Sequence, residues 1–519
     1  MMSPKKSPKP IKNFGDKLLK LIKQNRNSIL LAATLIILNA LMIAFRIGDT
    51  EPSLSIKRIL FIVVFFIIIT FLIIYFLFVA KTKKWKIEKL FLALGLTLGT
   101  FYSLLIPIGG IPDEAPHFWR AYEVSELKII TESDAEGNTG MYIPDNLRSV
   151  INTDYSNQEN DYSLTIAHLP DQASDNYILD STPAESYSPL NYIPQAIGIW
   201  VGKILQLPLI PTMYLSRLFN MVFCITIIAF CIKHIPTMKK TIFLVGLFPM
   251  TMQQFSSVSA DGSIICAGIS LITFVLYSRK IMKRTINFKD ISLLIMICLI
   301  LVLSKPVYAF LCLLLFWIPT SKFKSKKHKI AIILLIGTIV FLLTLLRLFL
   351  SPVGDARFDS AAQINFISSN PIMFLSILFR NAFLAPEQYI NSTIGKNLEW
   401  FSVELYTPYI ITFFLFFAFL CAEHEISISR SLRIFTFCIF FTIVSLVFTT
   451  MFIQWTPPKS VVIEGVQGRY FLPIILLIPI FCLPSKKPKP QLLVKQNYLY
   501  VFTALANVYA VISILCSHL

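Results

Sequence analysis

The sequence predicts an all-α polytopic membrane protein with about 13 transmembrane helices and a large extracytoplasmic loop after the third. Three observations predict it. Only 15% of the 519 residues are charged, against roughly 25% in a soluble domain, so much of the usual solvated surface is missing. The 44 Phe lie in long uncharged runs such as 59–80 (ILFIVVFFIIITFLIIYFLFVA), and about 20 such residues cross the hydrocarbon. The charges also segregate. Of the 47 Lys and Arg, 32 fall in 1–27, 81–89, 233–240, 279–289, 322–329, 423–433 and 485–495, each flanking an apolar run. That is the positive-inside pattern of short cytoplasmic loops, which accounts for the net charge of +18 without a nucleic-acid partner. Soluble enzymes, disordered tails and nucleic-acid binders are excluded.

Taken in order, residues 1–27 form a basic tail ahead of the apolar run 28–45. The long basic stretch and the lack of a small-residue cleavage site after Phe45 predict a retained first helix with a cytoplasmic N-terminus. Alternating onward, the spans are 28–45, 59–80, 88–107, 212–232, 241–258, 263–278, 289–304, 307–320, 330–350, 406–422, 432–453, 470–484 and 497–517. This path puts every basic segment inside. It leaves 108–211, the 259–262 turn, Lys305-Pro306, 351–405 and 453–469 outside. Segment 108–211 holds 15 acidic residues against Arg120, Lys128, Arg148 and Lys203, the opposite of a cytoplasmic loop. Within it, 188–206 (SPLNYIPQAIGIWVGKILQ) is expected as an interfacial amphipathic helix rather than a span. The nine cysteines all lie in or at the ends of apolar spans, so no disulfide framework holds the outer segment. No CxxC and no His cluster suggests structural zinc, and no fixed-period repeat suggests a solenoid.

Four constellations can carry chemistry. In Pro112-Asp113-Glu114-Ala115-Pro116-His117-Phe118-Trp119-Arg120, two carboxylates, a His and an Arg gather after the third span. If the chain after Pro116 is helical, His117 and Arg120 share a face. A carboxylate there can act as general base and the cations can bind an anion; the bland reading is helix capping by Asp113 and snorkelling by Arg120. In Ser259-Ala260-Asp261-Gly262, Asp261 is the sole charged residue between Lys240 and Arg279, either a functional acid or a plain turn cap. Arg217, Lys305, Arg347 and Arg469 stand singly at outer helix ends, as anchors or as convergent phosphate donors. The stretch Tyr187-Ser188-Pro189-Leu190-Asn191-Tyr192-Ile193-Pro194 alone means a proline-broken helix entry.

Together these places resemble the GT-C class of membrane glycosyltransferases, and more narrowly a bacterial domain-of-unknown-function family of polytopic membrane proteins grouped with it. The resemblance runs from about Glu88 to Tyr500, with the two helices before it as an N-terminal addition. It is carried by Asp113-Glu114, Ser188-Pro189-Leu190-Asn191-Tyr192, Arg217-Leu218-Phe219-Asn220, Asp261 and Lys305-Pro306. The narrower family is suggested by the block from Asp113 to Ala121 with Gln467-Gly468-Arg469-Tyr470-Phe471-Leu472-Pro473. It implies a GT-C-like core over 88–517 that contains the outer loop 108–211, after a two-helix addition over 28–87. It further implies sugar transfer from a polyprenyl-phosphate-linked donor to a cell-envelope glycopolymer or glycolipid acceptor on the outer face. By the resemblance Asp113 activates the acceptor hydroxyl, with Glu114 or Asp261 assisting. Lys305, Arg217 and Arg469 stabilise the departing phosphate, with His117 and Arg120 beside them. No glycine-rich nucleotide loop is present, which fits a lipid-linked donor. Some members of the class bind a divalent metal near the acidic motif; Asp113, Glu114 and His117 are the candidate ligands. Two other readings stay open, an envelope-lipid transporter or flippase and an envelope scaffold.

Overall fold

The computed structural model describes residues 25–49, 55–128, 132–133, 139–151, 162–350, 359–384, 386–423, 428–482 and 495–519. Nearly all of the basic N-terminal tail lies outside the described residues. Eight of the described helices are long and apolar enough to cross a membrane: Arg26–Gly48, Ile56–Thr82, Ile87–Leu105, Leu209–His234, Asp261–Lys280, Lys326–Leu346, Arg430–Trp455 and Gln496–Ser517. The protein is a multi-pass membrane protein, mostly helical. The side chain of Arg347 lies outside the described residues.

Of the other five expected spans, two are shorter α-helices over the expected residues and three take forms that the apolar count could not distinguish. Segment 241–258 is broken into Lys239–Gly246 and Pro249–Phe255, because Pro249 lacks the N–H that would continue the first helix. Phe288–Ser304 and Thr407–Ala422 are helices of 17 and 16 residues. Segment 307–320 is a 3-10 helix, Pro306–Trp317. At about 2.0 Å per residue it reaches roughly a third further than an α-helix of equal length. The expected span 470–484 pairs a 3-10 stretch, Gly468–Ile474, with a short helix, Leu477–Cys482.

Segment 351–405, expected only as an outer loop, carries Ser360–Ser369 and Pro371–Leu384, two apolar helices bent by 107° at their junction. Asn370 and Pro371 at that junction explain the bend, since proline displaces the preceding residue from helical geometry.

Segment 188–206 contains the helix Ile193–Ile204. Its 12 residues extend about 18 Å, well short of the roughly 30 Å hydrocarbon. Gly198 and Gly202 form a small-residue face against Leu209–His234; a Cβ at Gly198 would come within 2.8 Å of the Ser216 Cα. The opposite face exposes Ile193, Ile197, Trp200 and Ile204.

Within segment 108–211, β1 (Glu132–Ser133), β2 (Thr139–Pro144) and β3 (Tyr177–Asp180) make an antiparallel sheet in the order β1-β2-β3. Tyr142 pairs with Leu179 and Ile143 with Ile178. Met141 and Ile143 are fully buried, and β2 packs against the helix Glu114–Ser125.

The centre of the bundle is its last helix, Gln496–Ser517, buried along almost its whole length. Polar side chains fix its neighbours to it: Asn507 Nδ2 donates to Leu247 O at 2.8 Å, Tyr102 Oη to Asn507 Oδ1 at 3.1 Å and Asn39 Nδ2 to Leu505 O at 3.0 Å. Interhelical hydrogen bonds of this kind bind helices where the hydrophobic effect cannot. The first helix is thereby seated on the last.

Candidate functional site

The chain ends the helix Ile87–Leu105 in a turn through Gly109 and Gly110, and Asp113 follows with φ 64 at the N-cap of Glu114–Ser125. That left-handed backbone is uncommon for a residue other than glycine. The Asp113 side chain makes no capping bond. It is instead the acceptor for Arg469 Nη2 at 2.5 Å. Arg469 also donates to Pro112 O at 3.3 Å, and its Nε lies 3.3 Å from Asp261 Oδ2. Asp261, the first residue of Asp261–Lys280, takes Lys305 Nζ at 2.6 Å on its other oxygen. Two acids and two cations, from four segments spread over more than 350 residues, thus form one chain of ion pairs: Asp113–Arg469–Asp261–Lys305.

Exposure ranks these groups. Arg469 and Asp261 are 4% and 9% exposed at the side chain and Lys305 19%, whereas Asp113 is 46% exposed. Asp113 is therefore the member that an incoming molecule can reach. Burial alone would raise its pKa, but Arg469 and His117 outweigh that and hold it below the usual carboxylate range. It is ionised at neutral pH.

Each anchor has a local cause. Gly468 permits Arg469 to approach the helix Glu387–Ile394, since a Cβ there would sit 2.1 Å from the Thr393 N. Pro306, opening the 3-10 helix, turns the chain sharply after Lys305. Lys305 Nζ lies 4.3 Å from the Tyr470 ring centroid, a cation–π contact, and Tyr308 Oη donates to Tyr470 O at 2.7 Å.

His117 lies within the electrostatic reach of this cluster, but not as the cation expected from sequence. Burial pushes its pKa down to about 4, so the ring is neutral at pH 7. Its Nδ1 meets Tyr192 Oη at 2.6 Å, and Tyr187 packs edge-on at 5.1 Å. Tyr192 and Tyr187 belong to the proline-broken stretch that alone suggested only a helix entry. Asn191 from that stretch donates to Ser304 Oγ at 2.5 Å and accepts from Ser263 through its carbonyl at 2.9 Å. It thus ties the residues beside Lys305 to those beside Asp261. The signal for these residues was the clustering of Tyr and Asn around two prolines in 187–194.

Glu114, Arg217 and Arg120 are placed elsewhere. Arg217, fully buried, donates from Nε to Glu114 Oε1 at 2.8 Å and from Nη2 to Oε2 at 2.5 Å. Its remaining donors reach the carbonyls of Ser103, Ile106 and Pro107 at 3.1, 2.6 and 3.0 Å. Glu114 Oε1 also accepts the Val258 N–H at 3.0 Å. The pair therefore joins the end of Ile87–Leu105, the turn before Asp113 and the loop before Asp261. It holds Asp113 and Asp261 in register rather than facing the solvent itself. Arg120 is likewise buried and paired with Glu123. With Glu114 committed to Arg217, the proposed metal triad is not assembled. No group of three His, Cys, Asp or Glu among the described residues is arranged to hold a metal ion.

Glu123 gives a pH prediction. Burial pushes it up to about 7, with Arg120 and Lys128 opposing and Glu185 adding. Asp180 and Glu185, across from it, are raised as well. The folded state therefore holds this proton more tightly than the unfolded chain, whose ordinary value is 4.5. The resulting stabilisation is complete below that value and is lost as pH rises through about 7. Thermal unfolding followed across this range should show a falling midpoint, and Glu123→Gln should flatten it; identical pH profiles for the two proteins would contradict the assignment.

The eight spans and the ion cluster at their rim define a polytopic membrane protein with an acid–cation centre at one end of its bundle. Residues 96–478 match the family described as predicted membrane protein (DUF2142), and the chain belongs to that family. No curated protein and no solved structure matches the chain. The matched region contains every residue of the centre. It excludes the first two helices and the last, although the last is the pillar of the bundle.

Proposed function

We propose that the protein is a GT-C-like membrane glycosyltransferase moving a sugar from a polyprenyl-phosphate-linked donor to a cell-envelope acceptor on the outer face. In this reading the N-terminus is cytoplasmic, 28–87 is an addition, and 88–517 is the transmembrane core that contains the outer loop 108–211. The observation that carries it is the ion chain Asp113–Arg469–Asp261–Lys305, in which a reachable carboxylate pairs with one of two cations that share a buried acid.

Asp113 takes the proton of the acceptor hydroxyl as that oxygen bonds to the anomeric carbon of the donor. The bond from that carbon to the phosphate oxygen breaks, and its electron pair leaves with the polyprenyl phosphate. Lys305 and Arg469 neutralise the charge that develops there, while Asp261 keeps both cations in place. A donor phosphate that draws Arg469 toward itself also removes the main counter-ion of Asp113, which makes the carboxylate a stronger base at the moment it is needed. His117 and Tyr192 contribute neutral hydrogen-bonding groups beside the reacting oxygen.

A transporter needs charges along a path at mid-membrane. Glu114 and Arg217 are buried charges, but each is saturated by the other and by backbone groups, which favours the enzyme. The experiment is deletion of the gene followed by analysis of envelope glycans. The expected result is one sugar substituent missing from an otherwise exported polymer. Unchanged glycan composition, or retention of the whole polymer inside the cell, would overturn the reading.

A further inference from the structure

We propose that the turn Glu399-Trp400-Phe401-Ser402 is an aromatic platform on which the acceptor glycan stacks beside Asp113, an assignment that rests on the glycosyltransferase reading above. The turn closes a short hairpin in which Leu398 pairs with Val403, both fully buried. Between them Glu399 and Phe401 have φ of 56 and 70. Two left-handed residues other than glycine in a four-residue turn are costly and persist only where the surroundings enforce them.

Glu399 supplies that enforcement. Its side chain is fully buried, accepting from Ser402 Oγ at 2.8 Å and lying 2.8 Å from Nε2 of His518, and its N–H donates to Gln253 Oε1 at 2.8 Å. The turn is thus bolted from beneath by the C-terminal end of the chain and by the helix Pro249–Phe255.

Above the bolt the rings face outward. Trp400 is 38% and Phe401 57% exposed. The Trp400 indole N–H donates to Gly109 O at 3.0 Å, four residues ahead of Asp113 in the same connection. A rigid aromatic surface with one edge tethered beside the acid suits a sugar ring, whose C–H face packs on the rings while its hydroxyls stay hydrated. Fixing such rings in advance removes the ordering cost of binding. An aromatic that merely anchors the protein at the headgroups requires neither the left-handed backbone nor the tether to Gly109.

The test uses the full-length protein in lipid nanodiscs and oligosaccharides released from the cell envelope as probe. Phe401→Gly is the informative variant. Glycine adopts the left-handed backbone freely, so melting temperature should hold or rise, while oligosaccharide affinity should fall by about tenfold or more. Trp400→Ala should lose affinity similarly. Undiminished binding by Trp400→Ala and Phe401→Gly, or no binding by the wild type, would overturn the platform. So would variants that lose only quenching of their fluorescence by brominated lipid, which would mark a membrane anchor. Those outcomes leave the gene-deletion result untouched, so the platform can fail while the glycosyltransferase reading stands.

Discussion

Replacing Asp113 with Asn is expected to abolish sugar transfer, by at least about two to four orders of magnitude if it is the general base, while the protein stays at wild-type abundance in the membrane. The side chain is half-exposed and bonded to a single cation, Arg469, so an amide of the same shape fits without leaving a buried charge alone. Arg469 retains Pro112 O and its approach to Asp261. Transfer measured in membranes from a deletion strain carrying the variant, with abundance read by immunoblot, separates the two effects. Full activity would exclude Asp113 as base. Lost activity together with lost protein would assign it a structural role.

Glu114→Ala is expected to act in the reverse way, depleting the folded protein. Arg217 is fully buried and pairs with the Glu114 carboxylate. Removing one partner of a buried pair typically costs about 3–5 kcal/mol, because the other charge stays behind without compensation. That is comparable to the whole stability of many domains, which is about 5–15 kcal/mol. The double variant Glu114→Gln with Arg217→Met should recover much of the loss, since it leaves no buried charge. Normal abundance and thermal stability of Glu114→Ala would show that the pair does not hold the acids in register. Adjacent carboxylates in the sequence, Asp113 and Glu114, are thus expected to differ in kind: one alters turnover, the other folding.

That difference separates what each level of structure specifies. Composition and the spacing of basic segments were enough to read a multi-pass helical membrane protein, since hydrocarbon demands long uncharged runs whatever their packing. Its eight longest helices were legible because each is a single uninterrupted run. Phe288–Ser304 and Thr407–Ala422 were legible as helices too, but the remaining three expected spans were not, because a run of apolar residues does not say whether Pro249, Pro306 or Pro473 breaks an α-helix, starts a 3-10 turn or bends a pair. The hairpin carrying Trp400 and Phe401 went unread for a related reason. Its fold depends on the distant partners Gln253 and His518, not on a local turn signal.

At the centre, residue types alone marked Asp113, Asp261, Lys305 and Arg469 as charges out of place beside a membrane. Which acid meets which cation was beyond the sequence, because side chains on four segments become neighbours only when helix packing fixes their azimuth and depth. Packing turned Glu114 inward to Arg217 and Asp113 outward to Arg469, although the two acids are consecutive in the chain. It also buried His117 among tyrosines and removed its charge. The linear order supplied the chemical groups; burial and proximity, which exist only in three dimensions, set their ionisation and their partners.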